Sequence, residues 1–455
     1  MAKLSLYVFA HLPQSGLAPA GLLQLTEEGT ELLASRFSYG NRYLERPDRI
    51  EVDPVSLTLR DVQAVRGVEI FPVNQLTEFG GIRDAAPDAW GRRIIEARLK
   101  APANSLPEST YLLEAGRERV GALDVFVDPT GPRTRSAEMP SESTALGYLQ
   151  EAADRIDAGE TVPGRLLDLL EPGSGGARPK AAVRDHTGTL WLAKFTSRND
   201  PFDMVTAEAC TLTLAARCGM TVPQVRRLLL GNRPILMVRR FDRFWSKAGT
   251  LPSSEMALHD TRPGKDFQEG RVPFVSGLTM LGCHEFEAHR KGYADLAAAI
   301  RTYAPVERIR ALSEELFTRL VFNILVSNDD DHLRNHGFVR ELRLPEGWLL
   351  SPLYDVVPRP GVSKERRLTL EVGPQGKASN LDNALANHAA FTPDRKRALS
   401  LAKRVWGEVR QWKTHFEEMG APGTLIDQIA SAFRELEDIA SPTLVSEIRA
   451  AKDLA

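Results

Sequence analysis

The sequence predicts an α+β chain with a β-rich first part and a helical last part, and three observations predict it. Short β-like runs broken by turns recur through residues 1–128 and 163–245, while period-3.6 apolar patterns dominate from about 275 to 440. Between these regimes a glycine-rich loop, 172–180, runs directly into a pair of turn-linked strands. With 455 residues and 42% apolar content the chain is long enough for two or three packed domains. Its 58 basic and 60 acidic side chains leave a net charge of −2, which excludes an overall electrostatic pull toward DNA, RNA or anionic membrane. No apolar run reaches the roughly 18 residues of a membrane span.

Taken in order, the first ten residues, Met1 to Ala10, are apolar but break at His11, so they read as a first strand of a cytoplasmic protein rather than a signal peptide. Glu51 to Leu59 and Val68 to Phe71 are further β-like runs in an N-terminal subdomain, 1–128. That subdomain also holds a helix from about Asp88 to Lys100, entered through Pro87 as an early-helix proline. Asp128-Pro129-Thr130-Gly131-Pro132 and the polar residues to about Ser143 predict a linker, followed by a helix on Leu146, Leu149, Ala153 and Ile156, together 129–162. A strand-rich lobe is expected at 163–245 and a helical lobe at 246–455, opening on a polar Gly/Pro-containing stretch, Ser246 to Gly270, expected as a mobile loop where a substrate enters. Leu312, Leu316, Phe317, Leu320 and Ile324 mark a helix leading into residue 328, and Leu399, Ala402, Val405 and Val409 mark one of a bundle behind it. Cys210, Cys218 and Cys283 read as core thiols; Cys283 with His284 and His289 lacks the second cysteine pair of a zinc site.

Chemistry concentrates in Asn-Asp-Asp-Asp-His-Leu-Arg-Asn, 328–335, followed by Tyr354-Asp355. A carboxylate that can orient a hydroxyl, an amide oxygen five positions on and a second carboxylate downstream are the parts of a phosphoryl-transfer site, with Asp330 as base and Asn335 and Asp355 as Mg²⁺ ligands. Taken alone the string fits a polar turn between a helix and a strand equally well. Two upstream elements stand in the order such a site needs. Gly173, Gly175 and Gly176 let backbone N–H groups approach phosphate oxygens, although the loop has neither P-loop nor dinucleotide spacing. Ala181-Ala182-Val183 and Leu190 to Phe195 form two strands around Asp185-His186-Thr187-Gly188, placing Lys194 beneath the loop, and Glu208 lies in an apolar-periodic run suited to its partner helix. His332 fits a brace for the loop or an acid/base group, and Asp329 and Asp331 read as solvated or structural.

These segments resemble the HipA-type serine/threonine kinase toxins of bacterial toxin–antitoxin systems. The likeness rests on Gly-Gly-Ala-Arg-Pro-Lys at 175–180, the strand ending at Lys194, Val222-Pro223, Met237 to Arg243, Asp330 to Asn335, and Ser351 to Val357. Phe79 to Asp88 and Gly116 to Leu123 extend it into the first domain, so it covers roughly 1 to 440. It implies a divergent protein-kinase-like bilobal fold and ATP- and Mg²⁺-dependent phosphorylation of a protein, with growth arrest and persistence as consequences; targets of characterised relatives include aminoacyl-tRNA synthetases. It further implies a small helix-turn-helix antitoxin of the HipB type, through which DNA is met. By position, ATP would contact Gly175, Gly176, Ala177, Arg178, Pro179, Lys180 and Lys194, the hinge Arg239, Arg240 and Phe241, then His332, Leu333, Arg334, Asn335, Tyr354 and Asp355, with Asp330, Lys194 and His332 in the catalytic set. Arg239 departs from the acidic residue that relatives can carry at the hinge, and the regulatory serine falls in strict register on Gly173, the nearest hydroxyl being Ser174, the expected autophosphorylation site. The residue chemistry alone equally suits a small-molecule kinase, and an inactive binding module is the remaining alternative.

Overall fold

The computed structural model describes residues 1–132, 142–252, 258, 261–343 and 347–454. The chain divides into two compact units, each discontinuous in sequence: Met1–Asn199 with Leu228–Val275 and Val339–Glu346, and Asp200–Arg227 with Ser276–Phe338 and Gly347–Ala455. The α+β class expected from the sequence is the class found.

The first unit holds two sheets with separate cores. In the N-terminal sheet the strand order is Glu31–Tyr39, Gly16–Glu28, Ala2–Leu12, Leu123–Phe126, all antiparallel, so the opening apolar run is the strand expected, extended through Leu12. Alternation sends Leu6, Val8, Ala10, Leu23, Leu25 and Phe37 into one cluster, where each is at most 2% exposed. The run from Glu51 to Leu59, expected as β, forms no strand: the Asp53 carboxylate accepts N–H groups from Val55 and Ser56 at 2.8 Å and from Gly81 at 3.0 Å, closing a turn just before and after Pro54. Val68 to Phe71 contributes only the bridge between Ile70 and Phe37. The expected helix spans Ala89–Leu99, with Asp88 at its N-cap and Pro87 one residue outside rather than in its first turn.

In the second sheet Lys180–Arg184, Leu190–Lys194 and Arg233–Arg239 run antiparallel. Its core gathers Ala181, Val183, Trp191, Ala193, Phe195, Ile235 and Met237 with Trp90, Ile94 and the Glu142–Asp157 helix residues Leu149, Ala152 and Ala153. The expected linker after Asp128 begins as a turn closed by Asp128 on Thr130, and residues 133–141 lie outside the described residues. The stretch from Ser246 to Gly270 is not all loop: Arg243–Lys247 pairs with Phe267–Arg271, and residues 253–257 and 259–260 lie outside the described residues.

The second unit is helical. Its central helix, Val306–Val326, buries Leu316, Phe317, Leu320, Val321 and Ile324 completely and packs against Tyr293–Tyr303 and Arg395–Val409. The three cysteines are buried free thiols; burial pushes the Cys210 thiol up to about 12. Among the described residues no helix is long and apolar enough to cross a membrane.

Candidate functional site

The candidate residues fall into two groups, one in each unit. In the first unit the glycine-rich segment opens with a turn at Pro172–Ser174 and then takes positive φ at Gly175 (70°) and Gly176 (75°), a conformation in which side chains are strained. The Ala89–Leu99 helix holds it from behind. Gly176 N–H donates to Asp88 Oδ2 at 2.6 Å, Trp90 N–H donates to the Gly176 carbonyl at 3.2 Å, and Arg93 Nη2 reaches the Ala177 carbonyl at 3.0 Å. Trp90 Nε1 donates to the Lys180 carbonyl at 2.8 Å, and Phe195 N–H to the Pro179 carbonyl at 3.0 Å. Gly173 has no room for a side chain: a Cβ there would stand 2.8 Å from the Ala115 carbonyl and the Arg119 backbone. The autophosphorylation expectation falls on Ser174, whose side chain lies outside what the structure describes.

Lys180 and Lys194 are directly opposed across the strand pair and both buried. At the hinge the Arg239 guanidinium donates to the Thr261 carbonyl, and the Arg240 N–H donates to the Leu190 carbonyl at 3.1 Å. The Arg240 guanidinium grips Asp242 at 2.7 and 2.6 Å and donates to the carbonyls of Glu118 and Arg119. Asp242 also accepts the Gly121 N–H at 2.8 Å and Arg243 at 2.7 Å; burial pushes its carboxyl up, but Arg240 and Arg243 more than offset this and hold it well below the usual carboxylate range. Through this buried cluster the hinge is locked to the 118–121 segment. The Phe241 ring stands 6.1 Å from Phe274.

In the second unit the Val306–Val326 helix ends at Ser327 in a left-handed conformation, φ 51°, which releases the chain into the 328–335 loop. Asp330 is exposed, with its side chain 51% accessible, and Arg359 Nη2 donates to its Oδ2 at 3.3 Å. His332 Nε2 lies 3.7 Å from Asp330 Oδ1. Asn335 Nδ2 donates to the Asp330 carbonyl at 2.7 Å, which fixes the amide and assigns Oδ1 as the acceptor available to a cation. Leu333 is buried, Arg334 pairs with Glu285 at 2.5 Å, and Tyr354 OH donates to the Arg334 carbonyl at 2.7 Å. Asp355 follows Tyr354 in a left-handed conformation, φ 56°, and Glu208 is buried in the Met204–Arg217 helix.

Asp331 is the structural carboxyl of the loop. It is 1% exposed, accepts Tyr293 OH at 2.9 Å and Thr369 N–H at 2.7 Å, and burial pushes it up to about 7. Tyr293 OH accepts in turn from Asn323, whose Oδ1 accepts from Asn328 at 3.1 Å. His336 closes the loop as a buried neutral imidazole, pushed down to about 3 by burial, with its ring edge-on to Tyr293. Tyr293, Arg359 and Thr369 carry no motif around them, and only their tertiary contacts reveal them.

Among the described residues no group of three or more His, Cys, Asp or Glu side chains is placed to hold a metal ion. Mg²⁺ does not require one: it keeps several waters and is typically bound by one or two carboxylates with substrate phosphates. The hard oxygen donors Asn335 Oδ1 and the Asp355 carboxylate therefore fit it.

Residues 173–413 match the family model of the HipA-like C-terminal domain. Among solved structures, the chain is similar to HipA of Shewanella oneidensis MR-1, solved with HipB and its operator DNA, at a TM-score of 0.64 and 16% identity over 98% of this chain and 96% of that one. That likeness shows the fold. The proinflammatory kinase CtkA of Helicobacter pylori aligns at a TM-score of 0.39 and 14% identity, covering 61% of this chain and 94% of its own, too slight a likeness to argue from. No curated protein matches the chain in sequence.

Proposed function

We propose, for a chain that belongs to the family of HipA-like proteins, that it is an ATP- and Mg²⁺-dependent serine/threonine protein kinase acting in the cytoplasm as the toxin of a toxin–antitoxin module. The observation that carries this reading is the 328–335 loop: an exposed Asp330 beside an Asn335 whose amide is pinned to the Asp330 carbonyl, on a loop anchored by the buried Asp331. A loose phosphoryl transition state spreads charge over its equatorial oxygens, so catalysis is mostly positioning and electrostatics. Asp330 would orient the attacking hydroxyl and accept its proton. Lys194 and the N–H groups of Gly175 and Ala177 would hold phosphate oxygens, the Gly176 N–H being taken by Asp88, and Asn335 with Asp355 would hold Mg²⁺, which supplies further charge neutralisation when bound.

The acceptor is proposed to be a protein, aminoacyl-tRNA synthetases being the first class to test, with Ser174 as a site of self-modification. Shewanella HipA was solved with HipB and operator DNA; for this chain we propose a helix-turn-helix antitoxin as partner and DNA contact through it. The balanced charge supports that division of labour, and tight, salt-sensitive operator binding by the chain alone would overturn it.

The test is Asp330→Asn in a labelled-ATP assay against a cell lysate. Transfer should fall roughly 10²- to 10⁴-fold, the usual contribution of a positioned base, with nucleotide binding retained. A labelled metabolite in place of a protein band would favour a small-molecule kinase. Undiminished transfer by the variant removes Asp330 from the mechanism, and peptide mass spectrometry of the same incubations reads Ser174.

A further inference from the structure

Asp330 is bracketed by a stretch of chain far downstream. Thr369 holds the residues on either side of it: its N–H donates to Asp331 Oδ1 at 2.7 Å and its Oγ1 donates to the Asp329 carbonyl at 2.7 Å. Arg359 takes the carboxylate itself, with Nη2 at 3.3 Å from Asp330 Oδ2 and Nε at 3.8 Å from Asp329 Oδ1. Both anchors are themselves fixed. Thr369 sits between the buried Leu368 and Leu370, and Glu371 N–H donates to the Lys291 carbonyl at 3.0 Å. Arg359 N–H donates to the Ser327 carbonyl, while Arg366 Nη1 reaches the Arg359 carbonyl at 3.2 Å and Ser327 Oγ at 2.5 Å. The remaining nitrogens of Arg366 tie down the carbonyls of Gly361, Ser363 and Ser431. The turn carrying Arg359 is thus built onto the end of the helix that launches the catalytic loop.

We propose that Thr369 and Arg359 are positioning residues for phosphoryl transfer, Thr369 setting the backbone on both sides of Asp330 and Arg359 setting its carboxylate. The inference rests on the kinase reading of Asp330. Its physical content is preorganisation: a misplacement of about 1 Å at a reacting group costs on the order of 100-fold in rate, whereas binding of a nucleotide elsewhere in the site is indifferent to it. The Thr369 hydroxyl is well placed to be tested, because Thr369→Val keeps the N–H bond to Asp331 and nearly the same volume while removing only the bond to Asp329. Asp329 is exposed, so water can take up its carbonyl and the fold need not suffer.

The experiment compares the full-length wild type with Thr369→Val, Thr369→Ser, Arg359→Gln and Arg359→Lys, using ATP and casein. Thr369→Val should lower kcat about 10- to 100-fold with KM for ATP unchanged, and Thr369→Ser should recover most of the loss; Arg359→Gln should lower kcat and Arg359→Lys recover part of it. Amide hydrogen exchange of 328–335 is measured alongside and should quicken in Thr369→Val. Wild-type kcat in Thr369→Val, equal impairment in Thr369→Ser, a loss confined to KM, or a higher kcat in Arg359→Gln would each overturn the proposal. If the wild type transfers phosphate neither to casein nor to any protein of a cell lysate, the kinase reading fails, and unchanged exchange in Thr369→Val would overturn the bracket separately.

Discussion

Gly91→Ala sets two opposing effects against each other on the helix that backs the glycine-rich loop. Ala in a helix interior is favoured over Gly by about 1 kcal/mol, so an open site gains stability. Gly91 is not open: a Cβ would stand 2.0 Å from the Pro172 carbonyl oxygen, 2.7 Å from Pro87 Cβ and 3.0 Å from the Pro172 carbonyl carbon. Relief requires the backbone at Pro172 to retreat by at least about 1 Å, and it is not free to do so, since Gly176 N–H is bound to Asp88 and Trp90 N–H to the Gly176 carbonyl. Overpacking against fixed neighbours costs about 1–3 kcal/mol or more, so the net expectation is a destabilisation of about 1–2 kcal/mol. A displaced loop should also weaken binding of a fluorescent ATP analogue. The control is Gly147→Ala in the Glu142–Asp157 helix, where a Cβ meets nothing within 4 Å and the helix term should act alone, stabilising by up to about 1 kcal/mol. Urea midpoints at unchanged m-value, with nucleotide titrations, read both variants. If Gly91→Ala is as stabilising as Gly147→Ala and binds nucleotide like the wild type, the close packing of helix on loop is refuted.

The Asp331 carboxyl, pushed up to about 7 by burial from an ordinary 3.8, makes the folded state bind a proton that the unfolded state releases in that interval, so its contribution to stability is full below about 3.8 and is lost as pH rises through about 7. At 1.36 kcal/mol per unit the loss is at most about 4 kcal/mol; urea unfolding at about pH 5 and about pH 8 should show a smaller decline for Asp331→Asn than for the wild type, and parallel profiles would refute the assignment. Asp355→Asn should raise the Mg²⁺ concentration needed for nucleotide binding several-fold, because an amide offers a divalent ion less charge than a carboxylate. Coincident Mg²⁺ titrations of variant and wild type would remove Asp355 from the metal site.

What the sequence determined by itself is what short-range spacing dictates. The period-3.6 run on Leu312, Leu316, Leu320 and Ile324 became the Val306–Val326 helix, and the turn at Asp185 to Gly188 set Lys180 opposite Lys194, because side-chain direction along a helix or a hairpin follows from local geometry. The α+β class followed from the same patterns, and the resemblance to HipA, carried by the loop strings, is borne out by the family match. Tertiary structure alone decided the rest. The run from Glu51 to Leu59 had β-like composition, yet the Asp53 side chain outbid a strand for the backbone N–H groups around it. Ser246, Lys247 and Phe267 to Gly270 read as parts of a polar loop because these stretches are too short to show a period; Arg243–Lys247 and Phe267–Arg271 became strands only by meeting each other. Arg239 and Arg240, two hinge residues alike in sequence, were sent to different partners, Thr261 and Asp242, and the residues that bond to Asp330 and its neighbour Asp329 came from positions 359 and 369. A hydrogen bond between residues forty apart leaves no trace in local pattern, since its energy depends on where folding brings the two groups and not on what stands beside either one.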